Sequence, residues 1–378
     1  MRAVFAGRRA PRGMDASGVW RYRELVMRAA PADLVTFPEG NTPLLERPAV
    51  TRWAGLENLL LKHEGMNPTG SFKDRGMTVA VTHARGMRAP AVACASTGNT
   101  SSSLAAYAAL GGLRAIVLVP DGSVAEGKLA QTLAYGARTL RVRGTFDDCL
   151  RLAREASERL GVYLANSVNP WRVEGQKTII FELLEQLGWD PPDWIVLPAG
   201  NLGNAAAFGK ALREARAIGL IAQTPRLALV QAEGAAPFAR SAATAFAERV
   251  RVADPQTIAS AIRIGDPASY SRAVRVMHET RGVVTTATDA EILEAKAIID
   301  ESGTGCEPAS AASVAGLRRL VREAIITPDD RVVAVLTGHL LKDPTAALDV
   351  ARQSGQGMAR GIRVEATLDA VETVLRDR

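Results

Sequence analysis

Six short apolar runs, at residues 91–95, 115–119, 139–142, 194–197, 227–231 and 332–336, constrain this chain more than any other feature. Runs so short and so continuously apolar suit strands buried on both faces of a parallel sheet. The segments between them carry a helical period, at 73–88, 102–110, 128–135, 146–160, 175–187 and 205–217. Strands that alternate with helices pair in parallel, because a parallel pair needs a long crossover and a helix supplies it. The expected fold class is therefore α/β, with open, twisted, mainly parallel sheets flanked by helices. At 378 residues the chain also outgrows a single core, so two lobes with two sheets are expected.

Breaks in the pattern suggest the boundaries. Ala165-Asn166-Ser167-Val168-Asn169-Pro170 interrupts the helical period and separates a smaller lobe, 71–165, from a larger one, 166–353. Residues 18–70 read as a segment packed on the large lobe and 354–378 as a helical tail. Residues 1–17 read as a disordered basic tail, because their arginines, glycines and prolines include no apolar core of a secretion signal. Arg2, Arg8, Arg9 and Arg12 precede the first acid, Asp15, and supply most of the formal charge of +6. The rest is nearly balanced, so no nucleic-acid partner is expected. Residues 89–113 carry no formal charge, yet a Ser/Thr-rich turn interrupts them, so a membrane span is rejected and a cytoplasmic location is expected. Three widely spaced cysteines suit buried thiols rather than a disulfide framework, and four unclustered histidines suggest no metal site.

Chemistry enters with Asn67-Pro68-Thr69-Gly70-Ser71-Phe72-Lys73-Asp74-Arg75-Gly76, which sets one lysine at a helix start just after a turn. Pro68 and Gly70 break the preceding strand, Thr69 or Ser71 is available as a cap, and Lys73 falls in the first turn. Burial and the positive end of the helix dipole both disfavour its ammonium, whose ordinary pKa is about 10.4. An amine freed of its proton suits imine formation. A lone lysine among 46 basic residues is more often a surface group, so the reading depends on its company.

Ligands of open α/β sheets bind beyond the carboxyl ends of the strands, where four turns stand out. Ser96-Thr97-Gly98-Asn99-Thr100 opens a helix and forms either a carboxylate cradle or an ordinary cap. Gly200-Asn201-Leu202-Gly203-Asn204 lets backbone approach a phosphate without a lysine, and matches neither the Walker nor the dinucleotide pattern. Asn166, Ser167, Arg172, Gln176 and Lys177 together could hold a second anion, although Arg172 and Lys177 flanking Glu174 also read as an ion-paired helix face. Thr337-Gly338-His339 ends the last apolar run with a hydroxyl fit for a ring nitrogen. Glu307-Pro308, before a helix of small residues, suits any helix start.

In this order, together with Glu39-Gly40-Asn41-Thr42-Pro43-Leu44 and Ala261-Ile262-Arg263-Ile264-Gly265, these pieces resemble the pyridoxal-phosphate enzymes of fold type II. Within them they are most similar to the threonine synthase family, from about residue 20 to residue 344. The resemblance implies pyridoxal 5'-phosphate in the cleft between the lobes. Lys73 would hold it covalently, with Phe72 at its ring, Asn99 at its phenolic oxygen and Thr337 at its ring nitrogen. Gly200, Asn201, Leu202, Gly203 and Asn204 would cradle its phosphate. Ser96, Thr97 and Thr100 would take the substrate carboxylate, while Asn166, Ser167 and Arg172 would take the substrate phosphate by motif position. Lys177 joins them on chemistry alone. Leu202 and Leu340 depart from the family, which commonly has a small residue and a glycine there.

The activity so implied is conversion of O-phospho-L-homoserine and water to L-threonine and phosphate, by γ-elimination and β-addition with Lys73 as the base. Another lyase of this fold, either a serine or threonine ammonia-lyase or a cysteate synthase-like enzyme, and a non-catalytic cofactor-binding paralogue are the alternatives. The expected partner is a small phosphorylated amino acid, and the expected assembly is a homodimer.

Overall fold

The computed structural model describes residues 1–8, 10, 12–28, 33–122, 126–346 and 362–376. Ten strands lie in them: β1 Leu44–Glu46, β2 Asn58–His63, β3 Val92–Ala95, β4 Ala115–Pro120, β5 Arg138–Val142, β6 Tyr163–Leu164, β7 Trp194–Pro198, β8 Arg226–Ala232, β9 Val283–Ala287 and β10 Arg331–Leu336. A six-stranded sheet has the order β1-β2-β10-β7-β8-β9 and a four-stranded sheet the order β5-β4-β3-β6. Every pairing is parallel except β1 with β2. All six apolar runs are strands, and the α/β class holds. The β-branched and aliphatic content of those runs is what a doubly covered sheet selects.

Strand alternation divides the core of the large sheet. Ile195, Leu197, Leu227, Leu229, Val333 and Val335 face one layer, with Trp20, Tyr22, Phe181 and Phe208. Trp194, Val196, Ala228, Val230, Val332 and Ala334 face the other, under the helices Asp289–Glu301 and Pro308–Arg322. The small sheet buries Val92, Cys94, Val117 and Val119 against Leu104, Tyr107, Met77 and Val81. The central strands β3, β7, β8 and β10 are thus buried on both faces, which explains why they read as continuous apolar runs, whereas β5, at the sheet edge, is largely exposed.

The amino-terminal residues do not form the disordered tail that their composition suggests. Arg2–Ala6 is a helix, and Phe5 is wholly buried with its ring 5.0 Å from that of Tyr22. Arg8 pairs with Glu24. One buried aromatic outweighs the basic composition, since its burial contributes on the order of 2 kcal/mol. Part of the helical tail expected at 354–378 lies outside the described residues, and Leu368–Arg376 is helical and exposed.

Two helices cross closely enough to exclude side chains. The helix Lys73–Gly86 packs against Pro170–Gln176, and a methyl on Gly175 would overlap the carbonyl oxygen of Arg75. A methyl on Gly76 would come within 3.0 Å of the carbonyl oxygen of Arg172. This crossing brings Lys73 and Arg172 to the same cleft. Gly175→Ala is therefore expected to cost about 1–3 kcal/mol through overpacking, lowering the thermal unfolding midpoint. Gly86→Ala, which meets nothing within 4 Å, serves as the control. Equal midpoints for the two variants would show that the crossing tolerates a methyl group.

Candidate active site

The loop before Lys73 is tied to the end of β10. Phe72 N–H donates to the Thr337 carbonyl at 3.0 Å, His339 N–H donates to the Gly70 carbonyl at 2.9 Å, and Ser71 bridges Gly338 in antiparallel fashion. Gly70 makes the turn at φ +85°, which only glycine adopts without strain. The expected capping is reversed. Ser71 Oγ has no partner, and Thr69 gives its N–H and hydroxyl to the Asp74 carboxylate at 2.7 and 2.6 Å. Ser103 Oγ donates to the same carboxylate at 2.6 Å. Burial nevertheless raises the Asp74 pKa to about 6.

Lys73 Nζ lies 4.1 Å from the centre of the Phe72 ring, with no hydrogen-bond or ion-pair partner among the described residues. Burial first, and then the Arg172 charge, lower its pKa to about 7 against the opposing pull of Glu307. Arg172 is itself buried. Its Nη1 donates to the Ala165 carbonyl at 3.1 Å, while Nε and Nη2 have no partner among the described residues. Burial lowers its pKa to about 10, so it remains a cation. A buried guanidinium with two idle donors is a site for an anion, since leaving them unpaired costs free energy.

The turn after β7 provides a second anion site. Leu202 adopts a left-handed conformation at φ +61°, and its buried side chain joins the core, so packing holds a strained backbone in place. The helix Gly203–Ala217 starts immediately after it, and its first N–H groups have no intrahelical partner. At the ends of neighbouring elements, Thr337 Oγ1 meets Ser310 Oγ at 3.1 Å, and Asn99 Nδ2 donates to both Glu307 oxygens at 3.1 and 3.0 Å.

These groups line one cleft. It encloses about 640 Å³ of space, partly open to solvent, and brings together Phe72, Lys73, Asn99, Ser167, Arg172, Thr337 and the whole Gly200–Asn204 turn. Gln176, which the sequence places with Arg172 in a candidate anion site, also lines it, as do Ile262 and Glu307, to which the sequence reading gave no role there. Glu307 escaped notice because Glu-Pro marks a helix start, yet its side chain makes no cap and points to Asn99 instead.

Other expected site residues lie elsewhere. Lys177 is buried in ion pairs with Glu174 at 2.5 Å and Glu214 at 2.8 Å, away from the cleft lining. The alternative reading of a solvated, ion-paired helix face holds for its ion pairs but not for its solvation, and Lys177 is withdrawn from the anion site. Asn166 uses its amide on the backbone of Ala95, accepting from N–H and donating to the carbonyl at 3.0 Å each, so it splints the end of β3. Ser96, Thr97 and Thr100 flank Asn99 without lining the cleft. Leu340 packs on Gly305, where a Cβ would approach its Cδ2 to 2.9 Å, and stays out of the lining, whereas Leu202 belongs to it.

Residues 35–338 match the family of pyridoxal-phosphate dependent enzymes. The chain is 43% identical to a threonine synthase of Methanocaldococcus jannaschii over 95% of its own length and 87% of that relative. It is 45% identical to a threonine synthase of Methanosarcina acetivorans over 96% and 87%. Among solved structures, the processed form of threonine deaminase isoform 2 from Solanum lycopersicum superposes with a TM-score of 0.74 at 21% identity, covering 92% of this chain and 96% of that one. Maize serine racemase gives 0.73 at 20%, covering 92% and 99%. At such identities these two structures share the fold, and nothing more is taken from them.

The low proton affinity of Lys73 can be measured in cofactor-free protein, by peptide mass spectrometry after brief acylation at a series of pH values. Modification of Lys73 should be half-maximal near pH 7. Arg172→Met removes a cation that disfavours the ammonium, so the midpoint should move upward. A wild-type midpoint near the ordinary lysine value of about 10.4 would contradict the assignment.

Proposed function

The chain belongs to the pyridoxal-phosphate dependent enzymes and, within them, to the threonine synthases, and from that premise we propose that it converts O-phospho-L-homoserine and water to L-threonine and phosphate. One observation carries the reading. A lysine with a lowered pKa shares its cleft with two separate anion sites, the helix start after Leu202 and the buried Arg172. A cofactor phosphate and a substrate phosphate require two such sites.

The residues present fit the cofactor. Lys73 offers an amine that titrates near neutrality, and the Gly200–Asn204 turn offers two glycines and the N–H groups of a helix start for a phosphate. Thr337 presents a hydroxyl, which can pair with a ring nitrogen without delivering a full proton to it. Asn99 presents an amide for the phenolic oxygen. Bound there, the cofactor supplies an electron sink next to the substrate α-carbon.

The remaining work belongs to the chain. We assign Arg172 and Ser167 to the substrate phosphate, and the Ser96, Thr97 and Thr100 turn, which meets the cleft only through its neighbour Asn99, to the substrate carboxylate. Lys73 Nζ, displaced by the substrate amine, takes the α-proton and then a β-proton, and returns a proton to the γ-carbon after phosphate has left. A pKa near 7 suits it to both directions of transfer, because neither the amine nor the ammonium is then rare. Water adds at the β-carbon, and the second proton that Lys73 took returns to the α-carbon, so the product regains its α-hydrogen. Serial transfer by one lysine requires no Ser-His-Asp set and no pair of carboxylates. We take the homodimer, the commonest closed assembly, as the working state.

Lys73→Ala should abolish both turnover and the visible absorbance of the bound cofactor. Arg172→Ala should raise the KM for the phosphorylated substrate by about tenfold or more, the loss expected of a charge-assisted hydrogen bond. The deciding assay measures phosphate release from O-phosphohomoserine and O-phosphoserine side by side and identifies the amino-acid product. Threonine from the first substrate supports the proposal. Turnover of O-phosphoserine alone would move this chain to a β-replacement activity.

A further inference from the structure

One buried carboxylate in the cleft has no part in the reaction described above. Glu307 is 5% exposed, and both of its oxygens accept from the Asn99 side-chain amide, at 3.1 and 3.0 Å. Its own N–H donates to the Gly338 carbonyl at 3.1 Å. A Cβ on Gly338 would collide with the carboxylate, so the missing side chain of that glycine leaves the slot that the carboxylate fills. Thr337, the residue before Gly338, lines the same cleft, and Lys73 and Lys342 bear on Glu307 as cations while Asp343 bears on it as an anion.

We propose that Glu307 is a positioning residue for the cofactor: lodged in the slot left by Gly338, it accepts from the Asn99 amide and so fixes which end of that amide the cleft presents. The inference rests on the reading of Asn99 as a cofactor ligand. An asparagine side chain has one donor end and one acceptor end, and free rotation would offer either to a ligand. A carboxylate that accepts at both oxygens admits only the donor end beside it. The NH₂ group carries two hydrogens, so it can serve Glu307 and still donate to an oxygen in the cleft, the bond an anionic phenolic oxygen needs. The arrangement also joins the lobes, because Asn99 opens the helix after β3 and Glu307 precedes the helix Pro308–Arg322 under the large sheet. Burial raises the Glu307 pKa, and its bonds from Asn99 and the nearby Lys342 and Lys73 oppose that rise, in keeping with a carboxylate held by its neighbours.

The test is a double-mutant cycle read by the affinity of cofactor-stripped enzyme for pyridoxal 5'-phosphate, independent of turnover. Glu307→Ala and Asn99→Ala should each weaken binding by about tenfold, the scale of one hydrogen bond to a charged group. The double variant should be no weaker than the worse single, because Glu307 acts through Asn99. Glu307→Gln keeps an acceptor oxygen and should recover most of the affinity. Gly338→Ala leaves Glu307 in the sequence but expels its carboxylate from the slot, and should bind as weakly as Glu307→Ala. If Glu307→Ala does not fold, the cycle of Gly338→Ala with Asn99→Ala decides the matter. Wild-type affinity in Glu307→Ala, or additive losses in either cycle, would overturn the proposal. Wild-type enzyme that fails to bind the cofactor, or Lys73→Ala that keeps its visible absorbance, would instead overturn the reading beneath it.

Discussion

The site depends on a buried knot of charge one turn below the lysine. Arg75 donates to Glu64 at 2.8 and 2.7 Å and to Glu182 at 3.1 and 2.7 Å, and Glu182 also accepts from Lys62 at 2.6 Å. All four side chains are at most 1% exposed. Two cations face two anions, so the knot is neutral as a unit, and the Arg75 and Lys62 charges hold both carboxylates below their usual range. Such a cluster adds little net stability over an apolar one, but removing any one member strands a buried charge at a cost of about 3–5 kcal/mol. Its effect is on position. Arg75 joins the helix Lys73–Gly86 to the end of β2 and to the helix Thr178–Gln186, so the first turn cannot rotate without breaking the knot.

A fixed first turn then dictates the chemistry of Lys73. Asp74 and Arg75 use the inward directions, and Lys73 is left facing the cleft without a counter-ion in hydrogen-bonding contact. Arg172 approaches because Gly76 and Gly175 allow the two helices to touch, and its charge works against the ammonium. The structure thus spends stability at this point, holding an amine near neutrality where a solvated lysine would keep its proton. The same pattern recurs at Leu202, a buried leucine in a glycine-like conformation, and at Arg172, a guanidinium with two idle donors. Local rules are broken within one cleft and obeyed around it, as expected of a functional site.

This contrast also explains what the sequence revealed. Strands buried on both faces carry a nearly unmixed apolar signal, so β3, β4, β7, β8 and β10 were legible as runs, and β5 was legible from its position in the alternation although Arg138 and Arg141 leave it largely exposed at the sheet edge. β2 was not, because Asn58-Leu59-Leu60-Leu61-Lys62-His63 ends in a lysine and a histidine, and only the fold supplies Glu182 to make Lys62 a core residue. β6 is two residues long, below any periodic signal. The turns that bind through backbone were legible from glycines and strand ends. Side chains whose role depends on partners distant in sequence were not. Lys177 has the right charge and the right neighbours in sequence, but Glu174 and Glu214 claim it. Asn166 sits in the expected motif, but the open edge of Ala95 claims it. Glu307 looked like a helix start, and its partner lies 208 residues away.

The cleft takes its walls from both sheets, yet the bonds that cross it are polar and few. Asn99 reaches Glu307, and Lys342 Nζ donates to the Thr69 carbonyl at 3.0 Å, to Ser102 Oγ at 2.9 Å and to Gln131 Oε1 at 2.8 Å. Ser102 and Gln131 belong to helices of the smaller sheet, whereas Lys342 follows β10 of the larger. Contacts of this kind exchange readily with water, so they define a preferred closed arrangement without welding the lobes as an apolar seam would. The core clusters largely keep to that division, with Val92, Val117 and Leu104 in one and Ile195, Leu229 and Val335 in another, but the helix Lys73–Gly86 spans it, placing Met77 and Val81 in the first and Val79 in the second. Lys73 stands at the boundary, fixed to the large lobe through Arg75 while Asp74 bonds to Ser103 of the small lobe. Movement between the two sheets would therefore be felt first at Lys73.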